Sequence, residues 1–553
     1  MTQRTAPILT LHHPSNAQEY YESGVWQKET IYAIALRNVA AAPDAYALRD
    51  ARRRLTWSEV VKRADAIAAR LAALGLRQGD RIGIWLPNCI EVPLLLLACS
   101  RNGYICAPSF HKSHTVSEVV ELMCRIDAQA LVARPGWGAD SAQNDIFSQL
   151  LTCKTIKALL APDDVTGLEG VENLPTTIIG GDLLPDPCHD PDKVTYLAFT
   201  SGTTGMPKGV MHSDNTLLAN ARAVMSDWHL TSSEHIFVVS PLSHHNGTVA
   251  FQCALVAGAE FVVNDTPKGK SYLDSIIECE ADFVVGVPTH VIDLLAEMQQ
   301  RGIERLGRVR AFYVAGAAIP PSICQRLLEL GVKPMCAYGM TENGSTNYTL
   351  PADDIETQLK TCGRVCKGYE ARIWSSADVN VEAAAGEIGE IGGRGGLLML
   401  GYFDNQKETE KSFNSSGWFM SGDLGRFDEN GNLEVLGRLK DLIIRGGHNI
   451  YPSQIEALAL RHPDIEKAAA FPVPDERLGE KVCLAIIASK EVAPYAMLEW
   501  LGTAGLSRFD MPEYFIACES FPLTPSGKVL KREMAAQVQN GTLVPQSVRW
   551  TPS

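Results

Sequence analysis

Along the chain, apolar side chains recur at helical spacing and then gather into short strand-like runs, and this unit repeats several times. Residues 56–77 (TWSEVVKRADAIAARLAALGLR) carry apolar groups three and four apart behind a Thr/Ser cap, ending at Gly75 before the apolar run RIGIWLP. That predicts a helix feeding a buried strand. The same pattern returns at 118–133 (EVVELMCRIDAQALVA), 271–288 (SYLDSIIECEADFVVGVP) and 321–339 (PSICQRLLELGVKPMCAYG), each a helix followed by a β-branched run. Such alternation predicts an α/β body of parallel-rich sheets covered by helices.

Past residue 430 the texture changes. GNLEVLGRLKDLIIRGGHNIYPSQIEALALRHPDI reads as short strands around a Gly pair and then a capped helix. A smaller, mobile α+β domain is therefore expected over 439–553, behind an N-terminal domain over 1–438. At 553 residues the chain exceeds the roughly 250 to 300 residues that one hydrophobic core organises. No fixed-period repeat or low-complexity tract is visible, which sets aside solenoid and fibrous classes.

Composition narrows the function. With 46% hydrophobic and 21% charged residues the chain has the balance of a folded globular protein. A net charge of -14, without a Lys/Arg stripe, speaks against nucleic acid as a partner. The first residues lack the apolar core of a signal peptide, and the apolar stretch at 93–100 (VPLLLLAC) falls well short of the roughly 20 residues that span a bilayer. A cytoplasmic protein with no membrane span is expected. Fourteen cysteines, among them Cys99, Cys253 and Cys483, lack the spacing of a disulfide framework and read as reduced, buried thiols. Cys362 and Cys366 have CxxxC spacing, but no second Cys/His pair lies nearby to complete a zinc site, so they too read as structural.

One segment carries distinct chemistry. LAFTSGTTGMPKGVMHSDN (197–215) sets a strand-compatible run before three glycines, four hydroxyl side chains and a lysine. Gly202, Gly205 and Gly209 let backbone N–H groups approach phosphate oxygens, Thr200, Ser201, Thr203 and Thr204 add donors, and Lys208 adds charge. A Walker A loop would need Gly before the lysine and Ser/Thr after it, where Pro207 and Gly209 stand, so an ordinary P-loop ATPase is disfavoured.

TSGTTGMPKG resembles the signature of the adenylate-forming superfamily, which holds acyl-CoA synthetases, luciferase and peptide-synthetase adenylation domains. The resemblance extends over nearly the whole chain, through YGMTE (338–342), GWFMSGDLG (417–425), GRLKDLIIRGG (437–447) and PLTPSGKVLKRE (522–533), in that order. It implies activation of a carboxylic acid by ATP as an acyl-AMP, followed by transfer to coenzyme A.

Residue by residue, the resemblance makes Glu342 the Mg²⁺ ligand and sets Thr341 near the α-phosphate and Tyr338 against adenine. Gly339 and Met340, within the same motif, and Gly316, Ala317 and Ala318 of AGAAIP line the nucleotide. Asp423 accepts from both ribose hydroxyls, Arg438 reaches the ribose, and Lys440 occupies the hinge. Lys528 is the adenylation lysine, and Gly446 and Gly447 leave room for the pantetheine arm of coenzyme A. A hairpin turn is the plain reading of the glycine pair.

For the acid, PLSHHNGTVA (241–250) resembles the family segment that contributes a His or aromatic to the acyl pocket, a resemblance that implies a catalytic and pocket-lining role for His244, with His245 read as a satisfied, partly buried histidine. Asn246, Val287, Pro288 and the Ala315–Gly316 turn complete a mostly apolar lining. Gly339 stands where acetate-using members carry a tryptophan, which implies room for a larger acyl group. HKSHTVSEVVELM (111–123) and PLSHHNG resemble cyclohexanecarboxylate-CoA ligases and their medium-chain relatives, so an alicyclic acid is expected, with medium-chain or aryl acids as alternatives. A carrier-loading adenylating enzyme is a further alternative, although no carrier segment follows residue 533; a non-catalytic sensor is opposed by Lys528, Glu342 and Asp423. PLTPSGK (522–528) also matches the P-x-x-x-x-G-K form of ligases silenced by acetylation, which implies an acetyltransferase and a deacetylase acting on Lys528.

Overall fold

The structure, a computed structural model, describes residues 14–151, 153–200, 207–267, 269–317, 319–523 and 529–550. Ser201, Gly202, Thr203, Thr204, Gly205, Ala318 and Lys528 lie outside the described residues.

The helix-then-strand units appear where the periodicity predicts them. Helix Trp57–Ala73 begins in a capping box between Thr56 and Glu59 and leads to strand Arg81–Trp85. Val116–Arg125, likewise boxed by Thr115 and Glu118, leads to Ala130–Ala133. Tyr272–Glu278 precedes Phe283–Gly286, and Pro321–Glu329 precedes Lys333–Met340. Their strands are buried on both faces, as parallel strands between helix layers must be.

Among the described residues these units build a nine-stranded and an eight-stranded sheet, parallel through their centres and antiparallel toward some edges. Helices Glu91–Asn102 and His245–Ala257 are largely buried, and one core cluster joins them to Ile82 and Tyr196 of one sheet and Phe283 and Ala311 of the other. A four-stranded antiparallel sheet, Tyr369–Trp374, Gly389–Gly395, Phe419–Phe427 and Leu433–Arg438, completes the large body.

A six-stranded sheet is drawn wholly from residues 443–547 and has its own apolar clusters. It meets the body where Ser453 Oγ donates to the Leu436 carbonyl. Among the described residues no helix is long and apolar enough to cross a membrane.

Candidate active site

Strands Val194–Thr200 and Lys208–Ser213 pair antiparallel with Thr200 opposite Lys208, so the sheet pins both ends of the phosphate loop. The Arg125 guanidinium donates to the Pro207 carbonyl at the loop's C-terminal end. Lys208 is half-buried, its ammonium 4.3 Å from the centre of the Tyr402 ring and 3.9 Å from Glu408. Tyr402 is held there because Gly401–Tyr402 pairs with Met211 and Val210 of the same hairpin. Its hydroxyl donates to Glu342 Oε1 at 2.9 Å, linking the lysine's aromatic platform to the predicted metal ligand. Burial, and then the Glu342 carboxylate, push the Tyr402 phenol far above its ordinary range, so it stays a donor.

Glu342 is buried, and its carbonyl accepts from Met399 N at 2.7 Å. The preceding carbonyl, of Thr341, accepts from His212 Nε2 at 2.7 Å. Since a carbonyl can only accept, Nε2 carries the proton; Nδ1 then accepts from Thr216 Oγ1, 3.0 Å away. His212 is buried and clamps the Thr341–Glu342 turn.

The second cluster gathers Tyr338, Asp423 and Arg438. The Tyr338 hydroxyl donates to Asp423 Oδ2 at 3.0 Å, and Arg438 Nε lies 3.5 Å from Asp423 Oδ1. Antiparallel pairing of Phe419–Phe427 with Leu433–Arg438 sets Asp423 directly opposite Arg438. Burial and the Asp423 charge raise the Tyr338 phenol well above its usual value, which keeps this hydroxyl protonated as well.

Lys440 sits in the one-turn 3-10 helix Leu439–Asp441 that follows Arg438. Partial burial and the Arg438 guanidinium lower its ammonium to about 8. The Gly446–Gly447 pair is a hairpin turn between Ile443–Arg445 and His448–Ile450, with φ of 58° and 86°. Positive φ at both positions is the two-residue turn that glycine favours. A Cβ on Gly447 would meet nothing within 4 Å.

On the acyl side, His244 occupies the N-cap position of helix His245–Ala257 without a side-chain cap hydrogen bond, and its ring stacks on His111 at 4.2 Å. The two neighbouring histidines face opposite ways, because His245 stacks instead on His212, 5.3 Å away and nearly parallel. The expectation of a satisfied His245 is not met: its Nδ1 is shut off from solvent and has no hydrogen-bond partner. Burial holds this imidazole neutral, lowered to about 3. Asn246 donates to Ser240 Oγ at 3.2 Å while its Oδ1 is buried and unpaired. Val287 is half-buried and lies beside Gly316, where an added Cβ would approach Val287 Cγ1 to 3.5 Å; Gly316 and Ala317 are exposed.

Gly339 does not open acyl space in this conformation. A Cβ there would lie 1.7 Å from the Gly344 carbonyl oxygen, so the volume of a side chain is filled by the adjacent strand. The glycine serves the close approach of Lys333–Met340 to Gly344–Tyr348.

Burial pushes both the Cys362 and Cys366 thiols up, Cys362 to about 12, and no cluster of metal-binding side chains occurs among the described residues. Sequence reasoning missed Tyr402, His212 and Arg125. Tyr402 and His212 stand as polar or aromatic breaks in apolar runs, LLMLGYF and KGVMHS, but nothing local names their partners.

The AMP-binding enzyme profile matches residues 36–403, and the AMP-binding enzyme C-terminal domain profile matches 454–528. The chain is 28% identical over 522 residues to the mitochondrial medium-chain acyl-CoA ligase ACSF2 of Macaca fascicularis, covering 88% of this chain and 83% of that protein. It is 28% identical over 523 residues to the medium-chain fatty-acid–CoA ligase of Escherichia coli (strain K12), covering 93% and 91%. The crystal structure of ATP-bound MatB from Rhodopseudomonas palustris is similar with a TM-score of 0.80 at 25% identity, over 92% of this chain and 99% of that one.

Proposed function

Because this chain belongs to the AMP-binding enzyme family, we propose that it is an ATP-dependent carboxylic acid:CoA ligase. The carboxylate attacks the α-phosphorus of ATP, the bond to pyrophosphate breaks, and acyl-AMP forms. The thiol of coenzyme A then attacks the acyl carbon, loses its proton and expels AMP. The observation that carries this reading is the convergence of Lys208, Tyr402 and Glu342 beside the phosphate-loop hairpin.

In this reading the loop residues Thr200 to Gly205 and Lys208 cradle the phosphates, and Gly316, Ala317, Ala318, Gly339 and Met340 line the nucleotide. Asp423 accepts from the ribose hydroxyls, with Tyr338 and Arg438 fixing its carboxylate. Thr341 contacts the α-phosphate. Glu342 fits Mg²⁺, being a buried carboxylate and a hard oxygen donor; the cation bound there would neutralise phosphate charge. Lys528 stabilises the charge that develops on oxygens around the α-phosphorus.

The chain divides at 438/439, with Lys440 as the hinge on which the small domain turns to present Gly446 and Gly447 to coenzyme A. Acetylation of Lys528 would remove its charge and silence adenylation, so full activity of stoichiometrically acetylated protein would sink that regulatory claim. We place the protein in the cytoplasm, a location that cell fractionation tests.

The acid we propose is alicyclic, such as cyclohexanecarboxylate, received by His244, Asn246, Val287 and Gly316. The names of the relatives favour a second reading, medium-chain fatty acids. Pyrophosphate release with ATP and Mg²⁺ is the test, on a panel from acetate through hexanoate and octanoate to benzoate and cyclohexanecarboxylate, with and without coenzyme A. Turnover driven by coenzyme A and led by the cyclic acid is expected. A lead by octanoate overturns the alicyclic assignment, and indifference to coenzyme A points to loading of a carrier protein.

A further inference from the structure

The segment HKSHT (111–115) has no part in the chemistry set out above, yet it lies against the acyl-side histidine. Strand Ile105–Ala107 of the eight-stranded sheet leads into the turn that carries it, and strand His235–Val238 of the nine-stranded sheet leads into the loop PLSH (241–244). The two loops meet through their rings. His111 stacks on His244 with centres 4.2 Å apart and planes inclined by 23°, and the His114 ring lies 5.2 Å from His111.

His111 is buried and held from three directions. Its Nδ1 lies 2.9 Å from Ser243 Oγ, its backbone N–H donates to His114 Nδ1 at 3.1 Å, and its carbonyl accepts from Trp85 Nε1 at 3.0 Å. The facing loop is fixed too: the Leu242 N–H donates to Asn88 Oδ1 at 2.8 Å, and Asn88 Nδ2 donates to the Asn264 carbonyl at 3.1 Å. Each sheet thus presents one anchored ring, and the two rings bridge the sheets face to face.

We propose that His111 is a positioning residue for the acid: by stacking on His244 and bonding Ser243 it fixes the plane of the His244 imidazole and so biases the site toward a rigid acyl group. The inference rests on the reading of His244 as a wall of the acyl pocket. A wall whose plane is set before binding suits a ring, which has few torsions to lose, whereas a flexible chain can repack against a wall that moves. The Ser243–His111 pair also has the spacing of a nucleophile and its base. Burial, then the His244 and His114 rings, lower His111 to about 2, so it takes up no proton near neutrality and acts through shape and a neutral hydrogen bond.

Steady-state kinetics of the full chain with cyclohexanecarboxylate and with octanoate test the proposal on His111→Leu, His111→Phe, Ser243→Ala and His244→Ala. In His111→Leu, which loses both the stack and the Ser243 bond, KM for the cyclic acid is expected to rise about 3- to 10-fold, the scale of one aromatic pair. KM for ATP–Mg²⁺ and kcat at saturating acid stay nearly constant, and KM for octanoate rises less, so the cyclic-to-linear ratio of kcat/KM falls. His111→Phe keeps a ring against His244 and recovers most of the loss. Ser243→Ala leaves every ring in place and shows the same shift at smaller size, which keeps the test open where the leucine variant does not fold. An unchanged acid ratio in His111→Leu or, if that variant does not fold, in Ser243→Ala, or equal rises in KM for acid and ATP, overturns the proposal. In the double variant with His244→Ala, His111→Leu is expected to add nothing, and additive losses also overturn it. His244→Ala alone separates the two readings: if it leaves both acids unaffected, the pocket reading falls and the positioning role with it, whereas a shift there without one at His111 and Ser243 sinks only the positioning role.

Discussion

Tyr402 donates its hydroxyl to Glu342 Oε1 at 2.9 Å while the Lys208 ammonium rests 4.3 Å from the centre of the same ring, so one side chain holds an anion at its tip and a cation on its face. The arrangement keeps two opposite charges apart on one aromatic side chain.

Tyr402→Phe keeps the ring and removes the donor to a charged group, an interaction of about 1.5–3 kcal/mol. kcat/KM for ATP–Mg²⁺ is expected to fall roughly 10- to 100-fold. Tyr402→Leu, which also removes the cation–π platform, should fall further. Exchange kinetics at several Mg²⁺ concentrations would read both, and equal values for Phe and Leu would show that the ring contributes nothing.

Lys528→Ala should reduce acyl-adenylate formation by about 10²–10³, the scale of losing one preorganised charge at a transition state. Thioester formation from supplied acyl-adenylate should suffer much less. Near-normal ATP–pyrophosphate exchange would remove Lys528 from the role proposed for it.

At Gly447 strain and bulk must be separated, because its φ of 86° disfavours any L side chain. Gly447→Ala introduces the strain with little volume, and Gly447→Leu adds the volume. Adenylation should survive in both, while thioesterification should be blocked in the leucine variant alone. Equal loss in the two would leave the glycine as a turn residue only.

His212→Leu leaves the Thr341 carbonyl without this donor, at a cost of about 1–3 kcal/mol. Because the bond acts on the turn carrying Glu342, KM for ATP–Mg²⁺ should rise while KM for the acid stays nearly constant. His212→Gln, which can still present an N–H, should recover most of the loss. Identical behaviour of the two variants would reduce His212 to core packing.

His245 gives a pH prediction. Its imidazole is lowered from 6.5 to about 3 in the folded protein, mainly by burial, so the unfolded chain takes up the proton first as pH falls. Stability from this group is whole above 6.5 and is lost as pH drops from 6.5 to 3. His245→Phe, which retains an aromatic ring against His212, should flatten the fall in melting temperature across that window. An unchanged acid limb would assign the loss to other groups.

The alternating helices and strands were legible because their signals are local: a Thr56–Glu59 capping box, apolar spacing over one helix, a β-branched run beyond it. So was the turn within the GRLKDLIIRGG motif, since the Gly446–Gly447 pair needs particular residues within a few positions. The bonds that join the motifs were not. Glu342 meets Tyr402 across 60 residues, Tyr338 meets Asp423 across 85, and His212 meets Thr341 across 129. No periodicity spans such separations; only the pairing of strands decides them. The same reason explains Gly339: sequence shows a missing side chain, and the tertiary structure decides that Gly344 backbone fills its place.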